Sequence, residues 1–172
     1  MSAIKHNSQR VGIFIDAQNL YHSAKNLYHA RVNFGQVVKD ALGDRALVRA
    51  IAYVISTESG DENNFFEALG KMGIEAKTKD LQIFSSGAKK ADWDVGIAMD
   101  AVKMADKVDT IIVVCGDGDF VPLVEYLQHR GVQVEVVAFG KSTSSKLIES
   151  ADHFLDLDQN PRKYLLTSGR RK

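Results

Sequence analysis

The sequence predicts an α/β domain with helices on both faces of a mostly parallel sheet, and three observations carry that prediction. Apolar runs rich in β-branched residues alternate with segments of helical period almost throughout residues 11–158, the pattern of repeated βα units. Runs such as Thr110–Cys115 (TIIVVC) are continuously apolar rather than alternating, as strands buried on both faces are. The 172 residues, 45% hydrophobic with 13 Gly and 2 Pro, are enough for one domain with its own core, and neither repeat nor linker interrupts 11–158.

In chain order, Arg10–Asp16 (RVGIFID) reads as the first strand and closes on an acid. Helical patterning follows over Leu20–His29 and Phe34–Leu42, and Ala46–Ile55 is the second strand. Asp61–Met72 places Phe65, Phe66 and Leu69 at helical spacing behind an acidic first turn, with Gly73 set to end the helix. Ile74–Lys79 and Leu81–Phe84 supply a third strand with a hairpin or edge extension, and Ser85–Lys90 (SSGAKK) reads as a surface loop. In Asp92–Lys107 the residues Val95, Ala98, Met99, Val102 and Ala105 form an apolar stripe, with Asp92 placed as N-cap. Thr110–Cys115 is the fourth strand, closed by the turn Gly116–Asp119 (GDGD). A helix over Phe120–Arg130, stopped by Gly131, leads to the fifth strand, Val132–Phe139; Thr143–Ser150 and His153–Leu157 are a last helix and strand. Residues 1–10 are thus an N-terminal extension, 11–158 the domain, and 159–172 a basic, flexible tail.

Composition excludes several classes. A lone cysteine, Cys115, rules out a disulfide framework and a Cys-rich zinc site, and it sets the expected location as the cytoplasm. No apolar run reaches the roughly 18 residues of a membrane span, and Met1–Arg10 lacks the apolar stretch of a secretory signal. Net charge is +0, yet residues 11–158 hold 15 Lys and Arg against 22 Asp and Glu, or −7, while both ends are basic. An acidic body argues against a broad basic groove for duplex nucleic acid. Carboxylates gathered in one cleft would instead attract divalent metal, and the tail (Arg162, Lys163, Arg170, Arg171, Lys172) can meet phosphates or simply remain solvated.

Ligands in such sheets bind beyond the carboxyl ends of the strands, where strand order reverses. Asp16 ends the first strand, Asp117 and Asp119 follow the fourth, and Asp92 and Asp94 open the helix after the Lys-rich loop. With the first and fourth strands adjacent, Asp16, Asp117 and Asp119 converge, and like charges in a poorly hydrated site call for a cation. Oxygen-only ligands suit Mg²⁺ or Mn²⁺, and a metal held so can orient and acidify a water for phosphodiester hydrolysis. Gly116 and Gly118, lacking Cβ, would let backbone amides approach a phosphate closely; alternatively GDGD only ends a strand, with Asp119 as the cap of the next helix.

Other motifs fail on spacing. No G-x-x-x-x-G-K-[ST] occurs. Val121 stands where an EF-hand starting at Asp117 needs a ligand, and Gln18 stands where a D-x-D motif needs its second acid. His22 and His29, seven residues apart, read as surface or packing residues, and Cys115 as a small buried side chain rather than a nucleophile.

Three blocks in fixed order, Ile13–Leu20 (IFIDAQNL), Lys89–Ala101 (KKADWDVGIAMDA) and Val114–Gly131 (VCGDGDFVPLVEYLQHRG), together with Ser145–Leu157 (SKLIESADHFLDL), resemble the NYN-domain family of PIN-like nucleases in its LabA-like branch. The resemblance spans nearly all of 11–158 and implies a PIN-like three-layer α/β/α sandwich with a metal-dependent ribonuclease site. By position it assigns Asp16, Asp94, Asp117 and Asp119 to the metal and catalysis, and Asn19 to orienting water or phosphate. Asp100 matches a recurrent family acid but sits about 120° around the helix from Asp94 at 100° per residue, a supporting rather than direct position. Asp92 is a supporting acid too, and its roles with Asp94 as cap and inward ligand are interchangeable at this stage. Cys115 stands where many relatives carry Ser or Thr. Lys89 and Lys90 either bind the RNA backbone or are solvated; Trp93 either stacks on a base or anchors the helix. The expected activity is therefore endoribonucleolytic, with RNA as partner, no membrane association, and a homodimer or regulatory protein partner compatible with the acidic body. A regulatory or RNA-binding module with little catalysis, and a nuclease or phosphatase acting on DNA or nucleotides, are the alternatives.

Overall fold

A computed structural model describes residues 3–56, 63–80, 82–83, 85–86, 89–90 and 92–166, with the side chains of 82, 83, 89 and 90 left aside. The expected helix start at Asp61, the strand ends Leu81 and Phe84, and tail residues 167–172 lie outside the described residues.

The sheet grows from the most apolar runs. β1 (Arg10–Asp16) buries Val11, Ile13 and Ile15 on one face and Phe14 on the other, so it needs cover on both. Chain order continues α1 (Ala17–Tyr28), β2 (Arg31–Val32), α2 (Phe34–Leu42), β3 (Ala46–Ser56), α3 (Asn63–Lys71) and β4 (Ile74–Asp80). After these come β5 (Gln82–Ile83), β6 (Lys89–Lys90), α4 (Asp94–Met104), β7 (Thr110–Val114), α5 (Val121–His129) and β8 (Gln133–Ala138). The last elements are α6 (Ser145–Ser150), β9 (His153–Asp156), α7 (Pro161–Tyr164) and β10 (Leu165–Leu166). Six strands form one parallel sheet in the order β4-β3-β1-β7-β8-β9. From β1 the chain builds outward through β3 and β4, then returns to add β7, β8 and β9 on the other side. Strand order therefore reverses between β1 and β7, which pair from Val11 with Thr110 to Ile15 with Val114.

Two cores separate across the sheet. Leu20 and Ala24 of α1, Val37 and Ala41 of α2, Leu69 of α3 and Tyr164 of α7 pack on Ile13, Ile15, Ile112 and Val114. On the opposite face Ile97 and Ala101 of α4, Leu123 and Leu127 of α5 and Leu147 of α6 pack on Phe14, Ile111, Val113 and Val136. The result is the expected three-layer α/β/α sandwich. At the strands' amino-terminal end, Arg45 and Glu135 form a buried two-pronged ion pair (2.7 and 3.1 Å), and Arg45 also donates to the carbonyls of Ala41 and Leu42. That staple lies opposite the end where the acids gather.

Several local expectations are corrected. α1 begins at Ala17 rather than Leu20, because Asp16 serves both as the last strand residue and as N-cap, its side chain accepting from the Asn19 amide. In α4 the buried stripe is Ile97, Ala101 and Met104, whereas Val95 and Met99 stand exposed at 75% and 51%. The apolar helix offers two faces, and Met104 meeting the Cβ-free Gly12 of β1 accompanies the one that is buried. Asp92 is not the cap residue of α4; Trp93 holds that position, although Asp92 Oδ1 accepts from the Asp94 amide at 3.2 Å. Lys89–Lys90 is not loop but a strand pairing antiparallel with Gln82–Ile83. Residues 159–166 are not a free tail. Tyr164 is buried and donates to Asp40, Lys163 pairs with Asp40, and Leu165–Leu166 pairs with Arg31–Val32. Among the described residues no helix is long and apolar enough to cross a membrane.

Candidate metal centre

The reversal of strand order between β1 and β7 leaves a cleft at their carboxyl ends, lined by Asp16, Gln18, Asn19, His22, Asp92, Asp94 and Asp117. Each acid reaches it by a different local device. Asp16 arrives on β1 and is fixed by the Asn19 amide on Oδ1 (3.0 Å) and by the Cys115 thiol, whose Sγ lies 3.6 Å from Oδ2. Asp94 is the first residue of α4. Asp117 follows β7 and caps a short 3₁₀ turn, Gly118–Phe120, by accepting from the Asp119 amide at 2.9 Å. Asp117 caps that turn and Phe120 holds the cap position of α5, so Asp119 caps neither.

Three of these carboxylates meet. Asp94, Asp117 and Asp119 each offer an oxygen, all within 4.8 Å of one another. Asp16 is outside that triad but lines the same cleft. The seven ion pairs among the described residues involve none of the four. Crowding shows in their proton affinity. Burial, followed by the charges of Asp117, Asp92, Asp16 and Asp119, pushes the Asp94 carboxyl up to about 6. Burial also raises Asp16, against the opposing hydrogen bonds from Asn19 and Cys115 and with the charges of Asp117 and Asp92. A donor set made only of carboxylate oxygens, mutually repelling and without a cationic partner among the described residues, fits a hard divalent ion.

The supporting residues are placed as follows. Asn19 Oδ1 accepts from the Gly116 amide at 3.0 Å, lacing the end of β1 to the end of β7. The space a Cβ would fill at Gly116 is taken by Thr143 Oγ1 at 2.8 Å and the Ser142 carbonyl at 3.1 Å, and at Gly118 by Ser144 Oγ at 2.8 Å. Both glycines thus admit the 142–144 segment against the turn, which accounts for their missing side chains without a phosphate. Cys115 is fully buried, as expected; its Sγ accepts from the Asp117 amide, and burial with the Asp16 charge raises the thiol, so it is no nucleophile. Asp92 lines the cleft, whereas Asp100 is engaged elsewhere by Tyr53 and Lys77, both at 2.7 Å. Trp93 is an anchor: its Nε1 donates to the Val54 carbonyl and its ring meets Tyr53 edge-on, with Lys79 over its face at 4.9 Å. The side chains of Lys89 and Lys90 lie outside the described residues.

Gln18 and His22 reach the cleft without having been expected there. They stand one helical turn apart on α1, and starting that helix directly after Asp16 is the signal that would have placed them beside the acids.

Comparison with known proteins agrees with this architecture. Residues 10–158 match the family model of the NYN domain. The chain is 27% identical over 158 residues to the low amplitude and bright protein LabA of Synechococcus elongatus, covering 87% of this chain and 84% of that one. It is also similar to a solved structure, a protein of unknown function from Vibrio parahaemolyticus, at 33% identity and a TM-score of 0.85, covering 95% of this chain and all of that one. Together with the acids at the reversal of strand order, the match over residues 10–158 makes this chain a member of the NYN-domain family.

Proposed function

We propose that the protein is a metal-dependent endoribonuclease that hydrolyses RNA phosphodiester bonds at the carboxylate cleft. The observation that carries this reading is the meeting of Asp94, Asp117 and Asp119 within 4.8 Å with no cation among their described partners, at the end of the sheet where α/β folds bind ligands. These three would hold Mg²⁺ or Mn²⁺. When bound, such an ion supplies a Lewis acid for the phosphate and acidifies its water.

The chain's own residues do the rest. Asp94, raised to about 6, holds a proton only below that pH; above it the ionised carboxylate adds to the negative charge that a bound cation would offset. Asp16 is held rigidly by the Asn19 amide and the Cys115 thiol, so its charge sits at a fixed place on the cleft floor. Asn19 keeps the β1 and β7 exits in register through the Gly116 amide. No protein nucleophile is required, and Cys115 is not available as one.

Cleavage of an end-labelled mixed-sequence RNA by the wild-type protein and by Asp117→Asn, each with Mn²⁺, with Mg²⁺ and with EDTA, tests the proposal. Expected are metal-dependent internal cuts, at least about 100-fold slower in the variant. RNA left intact by the folded wild-type protein with either metal would overturn it. That result would favour the alternative reading, a binding or regulatory module with little catalysis; the name of the cyanobacterial relative states no reaction.

A further inference from the structure

We infer that the outer face of α1 is the track along which a single-stranded RNA runs into the cleft, with Gln18 and His22 holding the nucleotide beside the cut phosphate and Tyr21 with Lys25 holding the next. The inference rests on the nuclease reading and adds to it the surface that binds substrate.

The argument begins with charge. Of the seven residues lining the cleft, four are carboxylates and the other three, Gln18, Asn19 and His22, all belong to α1. A polyanion is repelled by the acidic walls wherever a metal does not screen them, and among the described lining residues those of α1 carry no carboxylate, which favours approach along that side. The Asn19 oxygen is taken by the Gly116 amide, which fixes that side chain with its Nδ2 donors still available, and Gln18 and His22 are the further side chains of α1 that can meet a substrate there.

Helix geometry extends this pair into a line. At 100° per residue, Gln18, His22 and Lys25 fall within about 60° of arc, and Tyr21 lies about 60° to one side of Gln18. The buried residues Ala17, Leu20 and Ala24 gather on another face, centred about 120° around the helix from that line. The Gln18–His22 pair and the Tyr21–Lys25 pair are offset by three residues, a rise of about 4.5 Å along the axis, the order of one nucleotide step in a single strand. Tyr21 is 45% exposed, its ring meets the His22 ring edge-on at 5.5 Å, and the Lys25 ammonium sits 5.8 Å from its centroid. An exposed aromatic next to a lysine, leading away from a cleft, is the arrangement that stacks an unpaired base and meets its phosphate. Stacking on Tyr21 requires an unpaired base, so the track suits a single strand and not a duplex.

The test uses the full chain and an RNA decanucleotide. Binding is read by fluorescence anisotropy in the Asp117→Asn background without added metal, and cleavage kinetics are read with Mn²⁺ in the otherwise wild-type protein. Tyr21→Ala is expected to weaken binding about tenfold through lost stacking, with Tyr21→Phe restoring it. Lys25→Ala is expected to reduce the slope of log Kd against log salt by about 0.7, the contribution of one phosphate contact on a single strand. His22→Ala combined with Lys25→Ala is expected to raise KM at least tenfold while kcat changes much less. Arg130→Ala, at the far end of α5, serves as the remote control for general charge loss. Unchanged affinity and salt slope in the α1 variants, equal losses in Arg130→Ala, or binding of a duplex as tight as that of the single strand would overturn the track. A wild-type protein that binds the decanucleotide through α1 but never cuts it would overturn the nuclease reading alone, so the two failures are distinguishable.

Discussion

Asp94 concentrates the electrostatics of the cleft in one titration. Its ordinary value of 3.8 rises to about 6 in the folded protein, first through burial and then through four neighbouring aspartates. Between those values the folded chain holds a proton that the unfolded chain lacks, so this group's contribution to stability falls as pH rises towards 6, and above 6 the ionised carboxylate carries the whole penalty. Asp94→Asn removes that penalty. In metal-free buffer the melting temperature of the variant minus that of the wild type is expected to grow as pH goes from 4 to 7, by roughly 2–4 °C for each kcal/mol relieved. A difference that stays flat, or shrinks with rising pH, in thermal scans across that range would contradict the assignment. Taking the difference matters because carboxylates such as Asp40, Glu75 and Asp109 are lowered by their partners and give the wild type an opposing trend common to both proteins.

At the scale of elements, the turn after β7 owes its position to its neighbours. Ala at Gly118 would bring a Cβ to 2.8 Å from Ser144 Oγ and 3.0 Å from Ser144 Cβ, contacts made by one side chain only. Ala at Gly116 would also crowd the Ser142 carbonyl and Thr143 Cα, at 3.1 and 3.2 Å, which cannot swing aside. Gly118→Ala is expected to cost about 1–3 kcal/mol in urea denaturation and much less in a Ser144→Gly background, whereas Gly116→Ala gains nothing from that background. Equal cost in both backgrounds would refute the packing account of Gly118. The same elements show what a sequence reveals. β1, α2 and the ends marked by Gly73 and Gly131, at φ 77° and 84°, were legible because an unbroken apolar run, a clean helical period and left-handed glycines each have one physical meaning. The buried face of α4 was not, since Val95 and Met99 are as apolar as Ile97 and Met104 and only packing against β1 decides between them. β2, β6 and β10, two residues each, carry no period at all. Of the acids, Asp117 and Asp119 followed from assuming that β1 and β7 pair, and Asp94 from the family resemblance; for Asp100, expected as a supporting acid, a helical match says nothing of the Tyr53 and Lys77 that hold it.

For the whole molecule, parallel strands flanked by helices on both faces bury a continuous hydrophobic sheet and leave function to its two ends. One end is closed by the Arg45–Glu135 pair, with Lys5 also 3.4 Å from Glu135. The other end, opened by the reversal of strand order, collects carboxylates that no described cation balances. The account stands or falls on whether that end takes up a divalent ion. Calorimetric titration of Mn²⁺ into the EDTA-stripped wild-type protein and into the Asp94→Asn, Asp117→Asn double variant measures this directly. Saturable binding to the wild type, lost or weakened at least about 100-fold in the folded double variant, is the predicted result; equal binding by both proteins, or none by either at millimolar Mn²⁺, would contradict it.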